Sequence, residues 1–157
     1  MNLKRDFPRI PFYDDFHRWA KWGERLMDLH VDYETVEPFQ LRIKNYELRI
    51  DGVPKPKLKA DKEAGIIILD EQTELHGIPA EAWTYKLGGR SALEWVLDQY
   101  QEKKPKDITI AEQFDTYRFA DYKEHVIDLL KRVCAVSVET VGIVEELNKS
   151  INLKNIK

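Results

Sequence analysis

Cysteine is nearly missing from this chain: Cys134 is alone among 157 residues, so no internal disulfide can form and no thiolate pair is available for a zinc site. Long apolar runs are missing too. The strongest, Gly65 to Leu69 and Val133 to Val138, fall far short of the ~20 residues that cross a bilayer, which argues against a membrane partner. A one-sided charge is also lacking, since 25 Lys+Arg against 28 Asp+Glu leave a net charge of -3, so any contact with nucleic acid has to be local. The opening MNLKRDFPRIPF has no apolar core followed by a small-residue cleavage site, and a cytoplasmic location is expected. What remains, 43% hydrophobic and 11% aromatic residues, is enough for one domain over 1–157 with its own core.

Catalytic motifs are absent in the same way. The sequence contains no GxxxxGK[ST], no GxSxG and no HExxH, and His17, His30, His76 and His125 are dispersed. No catalytic, cofactor-binding or metal-ligating residue is therefore assigned. One acidic group merits weighing: Asp70, Glu71 and Glu74 follow an apolar strand, where carboxylates can hold a divalent ion for phosphodiester chemistry. A solvated turn selects the same residues.

The patterning that is present predicts α+β. Phe16, Trp19, Ala20, Gly23, Leu26, Met27 and His30 recur at helical steps, with Asp14 or Asp15 as N-cap, and are expected to face inward. From Gln40 to Asp51 the period changes to two, predicting a short β ribbon that turns at Lys44-Asn45. Pro54 to Lys62 reads as a loop or strand edge, GIIILD at 65–70 as a buried strand, and TELHGIP as its returning partner. Pro79 to Thr84 suits a single helical turn. Ser91-x-x-Glu94 is a capping box opening a helix to Tyr100, with Leu93, Val96 and Leu97 inward and the nearby Trp83 and Trp95 expected to be buried. Thr109-x-x-Glu112 and Asp121-x-x-Glu124 resemble it; the second should open a long helix to about Asn148.

Two places carry the chemistry of anion binding. Residues 41–62 hold seven cations against three carboxylates, a composition shared by a groove-binding ribbon and by a lysine-protected sheet edge. Here Lys55, Lys57 and Lys59 are candidates for phosphate contacts, and Arg42, Lys44 and Asn45 for base edges, because Arg addresses guanine and Asn addresses adenine bidentately. The second place is Gly88-Gly89-Arg90-Ser91 before a helix start, flanked by Lys86 and Arg90, where free N–H groups attract phosphate and where a plain capped turn is the competing reading.

PRIPFYDDFHRWAKWGERLMDLHVDYE and GIIILDEQTELHGIPAEAWTYKLGGRSALEWVLDQY, in that order, resemble the C-terminal specificity part of type ISP restriction-modification enzymes and related adenine-specific DNA methyltransferases. The first matches PRIPFYxDFxxWxxxGxxLxxLHxxYE; the second, a strand, an IPxExW turn and a GGxxxLxWxLxxY helix. The likeness spans roughly Phe7 to Leu147. In that family one polypeptide carries a nuclease, an ATPase motor, an N6-adenine methyltransferase and a terminal target-recognition region. This chain has no NPPY-type motif, cofactor-binding glycines or motor motifs. The resemblance thus implies the last part of a larger prokaryotic enzyme whose S-adenosylmethionine, ATP and magnesium sites lie elsewhere.

The expected architecture is an N-terminal helix, a small antiparallel sheet at about 40–76, and a C-terminal helical segment ending in a long helix. As the resemblance implies, the function is noncatalytic recognition of duplex DNA beside the methyltransferase and motor portions of the parent enzyme. The alternative is a module that docks onto those portions without touching DNA.

Overall fold

The computed structural model describes residues 15–47, 52–102 and 117–152. Helix α1 (Phe16–Val31) starts at Asp15, whose carboxylate accepts from the Arg18 N–H at 3.0 Å. A 3₁₀ turn at Tyr33–Thr35 leads to β1 (Arg42–Asn45), then β2 (Pro56–Asp61), β3 (Ile66–Asp70) and β4 (Thr73–His76). After α2 (Ala80–Thr84) come the short hairpin β5 (Lys86–Leu87) and β6 (Arg90–Ser91), α3 (Ala92–Gln99) and the long α4 (Phe119–Asn152). The expected α+β class is what forms.

The four main strands are antiparallel in the order β1-β4-β3-β2. β3 is interior because its apolar residues need cover on both sides: Ile67 and Leu69 are fully buried, Ile66 and Ile68 partly. Two local devices fix the meander. Gly65 turns β2 into β3 at φ +64°, and its N-terminal neighbours close the turn through the Asp61 carboxylate on the Ala64 N–H at 3.0 Å. Between β3 and β4, one Asp70 oxygen accepts from the N–H groups of Gln72 and Thr73, both at 2.8 Å, while the other meets Lys123 of α4 at 2.8 Å.

The sheet's inner face, with Leu58, Ile67, Leu69 and Leu75, packs into one core with Trp83, Leu93, Leu97, Phe119, Val126 and Leu130. α4 spans the domain, about 50 Å at 1.5 Å per residue. It begins two residues before the expected Asp121 box, because Glu102 reaches across to accept from the Phe119 N–H at 2.8 Å. Thr109-x-x-Glu112 lies outside the described residues.

Three further expectations are corrected. No turn falls at Lys44-Asn45: residues 42–45 run on as one strand that pairs with β4, whose alternation matches its own, while residues 48–51 of the expected ribbon lie outside the described residues. In α1 the inward residues are Trp22 and Leu29, while Phe16 and Met27 point out. Trp95 is 45% exposed, unlike Trp83 at 5%. It sits on the solvent side of α3, where its indole N–H donates to the Leu87 carbonyl at 2.8 Å and the Arg90 guanidinium lies 5.4 Å from the ring centre. The β5–β6 hairpin, rather than the core, is its packing partner. Among the described residues no helix is long and apolar enough to cross a membrane.

Candidate nucleic-acid interface

Because strand side chains alternate, register decides which of the basic residues can act together. Arg42 pairs with His76, Ile43 with Leu75, Lys44 with Glu74 and Asn45 with Thr73. Leu75 and Thr73 are buried, so Ile43 and Asn45 share the inner side and Arg42 and Lys44 the outer. On the other edge Lys59 pairs with Ile68, which faces Glu74 in turn. Arg42, Lys44 and Lys59 thus share the outer face, two at one edge and one at the other. Three inter-strand spacings, about 14 Å, separate the edges.

The remaining candidates are placed differently. Asn45 turns toward α4, and its carbonyl oxygen accepts from the Thr73 hydroxyl at 3.1 Å. Thr73 also receives the Lys123 ammonium at 2.6 Å. Lys57 lies along the β2 edge beside a shallow groove with Gln101 and Glu102. Lys55 precedes β2, its backbone exchanging hydrogen bonds with the backbone and carboxylate of Glu71 at 3.2 and 3.3 Å. Lys55, Lys57, Lys59 and Lys86 are exposed, with no ion-pair partner among the described residues.

Lys86 and Arg90 stand on the small hairpin, away from that outer face. Arg90 leans on Trp95 and meets Asp98 at 3.5 Å. The start of α3 is filled from within: the Ser91 hydroxyl accepts from the Glu94 N–H at 3.3 Å, and Glu94 accepts from the Ser91 N–H at 2.9 Å. Lys62 adds an ion pair to Glu94 at 2.9 Å. Burial works against the Glu94 carboxylate, yet Lys62 and the Ser91 donors hold its pKa down to about 2. The capping box expected at Ser91-x-x-Glu94 is what forms.

The acidic trio does not converge. Asp70 is buried in its turn, Glu71 faces Lys55, and Glu74 lies on the outer face accepting from the Tyr46 hydroxyl and from His76, each at 2.8 Å. Tyr46 first and His76 second hold Glu74 below the usual carboxylate range, and Glu74 raises Tyr46 in return. No group of acidic, histidine or cysteine side chains suited to a metal forms among the described residues. Sequence reasoning missed Tyr46, Glu74 and His76 as neighbours of Arg42 and Lys44. The two-residue spacing of Glu74 and His76 in TELH was the available signal, but only the β1–β4 pairing puts them beside β1.

The family model of the type ISP C-terminal specificity domain matches residues 1–129. The chain belongs to this family. Among solved structures, the specificity domain is similar to part of the DrdV–DNA complex, at 52% identity and a TM-score of 0.83 over 92% of this chain and 15% of that one. A nuclease-deletion mutant of the type ISP restriction-modification enzyme LlaGI, in complex with a DNA substrate mimic, matches at 31% identity and TM-score 0.66, over 92% of this chain and 14% of that one. The ATP-dependent type ISP enzyme LlaBIII bound to DNA matches at 30% and 0.68, over 92% and 9%. The specificity domain therefore spans less than a sixth of each of these three chains. No curated protein matches it.

Proposed function

We propose that this domain is a noncatalytic module that recognises duplex DNA for a type ISP-like restriction-modification enzyme or N6-adenine methyltransferase, in a prokaryotic cytoplasm. The methyltransferase and motor portions supply the chemistry, with S-adenosylmethionine, ATP and magnesium bound there. The observation that carries the reading is the shared outer face of Arg42, Lys44 and Lys59. A major groove is about 12 Å wide and admits two strands, so two edges about 14 Å apart cannot both enter it. With β1 and β4 in the groove, Arg42 and Lys44 address base edges while Lys59, followed along its edge by Lys57 and Lys55, meets the phosphate backbone. Lys86 and Arg90 are secondary phosphate candidates. Asn45 reaches a base edge only by giving up Thr73.

Titrating labelled duplex at two salt concentrations tests this, because each phosphate neutralised releases counterion. Wild type should bind weakly with a log affinity falling against log salt. Replacing Lys55, Lys57 and Lys59 by Ala should weaken binding to every sequence and reduce that slope by up to about three. Identical slopes, or no binding at low salt, would remove the β2 edge from DNA. The purified chain should neither methylate nor cleave DNA; turnover lost on mutating Asp70 or Glu74 would overturn the noncatalytic reading.

A further inference from the structure

We infer that the outward side of α1 is a docking face for the polypeptide that precedes the specificity domain in a type ISP enzyme. At about 100° per residue, Phe16, Ala20, Gly23, Met27 and Val31 fall within an arc of about 80°. Trp22 and Leu29, facing the body of the domain, are 8% and 0% exposed; Phe16, Met27 and Val31 are 72%, 61% and 70% exposed. A surface helix with a single partner turns polar residues outward. This one has a second apolar stripe, about 22 Å long, with large side chains at its two ends and Ala20 and Gly23 between them, and exposed apolar surface of this kind on a helix marks an interaction site. In its centre nothing lies within 4 Å of where a Cβ on Gly23 would sit, leaving room for another backbone to approach. The helix is held in place from behind: Arg18 pairs with Glu146 and Arg25 with Glu139, both on α4.

The occupant follows from the comparisons and the fold. The specificity domain makes up 15%, 14% and 9% of those three chains, and its family description places it at the C-terminal end, so most of such a polypeptide lies before it. α1 is the first described helix and therefore the nearest in sequence to that portion. The stripe's five residues include no cation, which matches an apolar protein surface rather than phosphate. α1 packs on α4 and the 3₁₀ turn, whereas the cations sit on β1 and β2, so both surfaces can be occupied together. The inference rests on reading the chain as one domain of a larger enzyme, not on its binding DNA.

The test uses sedimentation of the labelled chain with a DrdV polypeptide from which the matching portion has been deleted. One-to-one association is expected, weakened at least tenfold by Met27→Glu with Val31→Glu and unchanged by Lys57→Ala with Lys59→Ala. Both apolar sites are exposed, so the double variant should melt like wild type. In a second arm, a DrdV polypeptide carrying this chain in place of its own portion should melt with the domain coupled, and the same double substitution should release a separate transition. Absence of association, association indifferent to the substitutions, or self-association of the chain that they abolish would each overturn the docking face. Duplex titration is an independent readout: docking without DNA binding sinks only the DNA reading, and DNA binding without docking sinks only this inference.

Discussion

Lys44 and Lys59 occupy one row across the sheet, Lys44 facing Glu74, Glu74 facing Ile68, and Ile68 facing Lys59. The two cations stand at opposite edges, so their losses should be felt differently. Arg42→Ala or Lys44→Ala should relax discrimination between duplex sequences, each lost base contact being worth about 1–3 kcal/mol. Lys59→Ala should lower affinity evenly. Selection from a random duplex library by each variant separates the two, and equal effects on affinity alone would contradict the division.

The two tryptophans flanking the small hairpin should differ in cost. Trp83 is 5% exposed within the core, so Trp83→Ala should destabilise by about 3–5 kcal/mol through lost transfer energy and a cavity. Trp95→Ala removes a half-exposed ring and one bond to Leu87, and about 1–2 kcal/mol is expected. Denaturant titration of both variants reads the contrast.

Gly65 should resist replacement. A Cβ there would lie 2.6 Å from the Ile78 carbonyl oxygen, a backbone atom that cannot step aside without breaking the Ile78 N–H bond to the Gly65 carbonyl at 3.1 Å. With φ at +64° as well, Gly65→Ala should cost roughly 2–3 kcal/mol. Unchanged melting of the variant would show that the turn relaxes.

Acidification should weaken the α3 cap. The folded pKa of Glu94 is depressed to about 2, so its contribution is fully present above the ordinary carboxylate value and is lost as pH falls through that value toward 2. Glu94→Gln should cost about 1 kcal/mol at neutral pH, and the difference from wild type should shrink over that acid range. Melting curves of both proteins from pH 6 to about 2 check the sign.

Cys134 lies fully buried in α4, and burial pushes its thiol up to about 12. A thiol reagent at neutral pH should label it only as fast as the domain opens. Rapid labelling under native conditions would place α4 outside the stable core.

How much of this was legible in the sequence follows from which interactions are local. Ser91 and Glu94 cap α3 from within three residues, Asp15 caps α1 likewise, and β3 announces itself by an isoleucine run that needs cover on both sides. The paired PRIPFY and IPAEAW segments carried the family, since motif spacing survives without any knowledge of packing. Tertiary structure alone decided that β1 pairs with β4, which set the basic residues on two separated edges and sent Asn45 to Thr73. It also decided which stripe of α1 is inward, because Trp22 with Leu29 and Phe16 with Met27 both satisfy helical spacing, and only the position of α4 selects between them. Trp95 was misplaced for the same reason. An apolar period states that a residue seeks cover, while the long-range partner that supplies it is chosen by the fold.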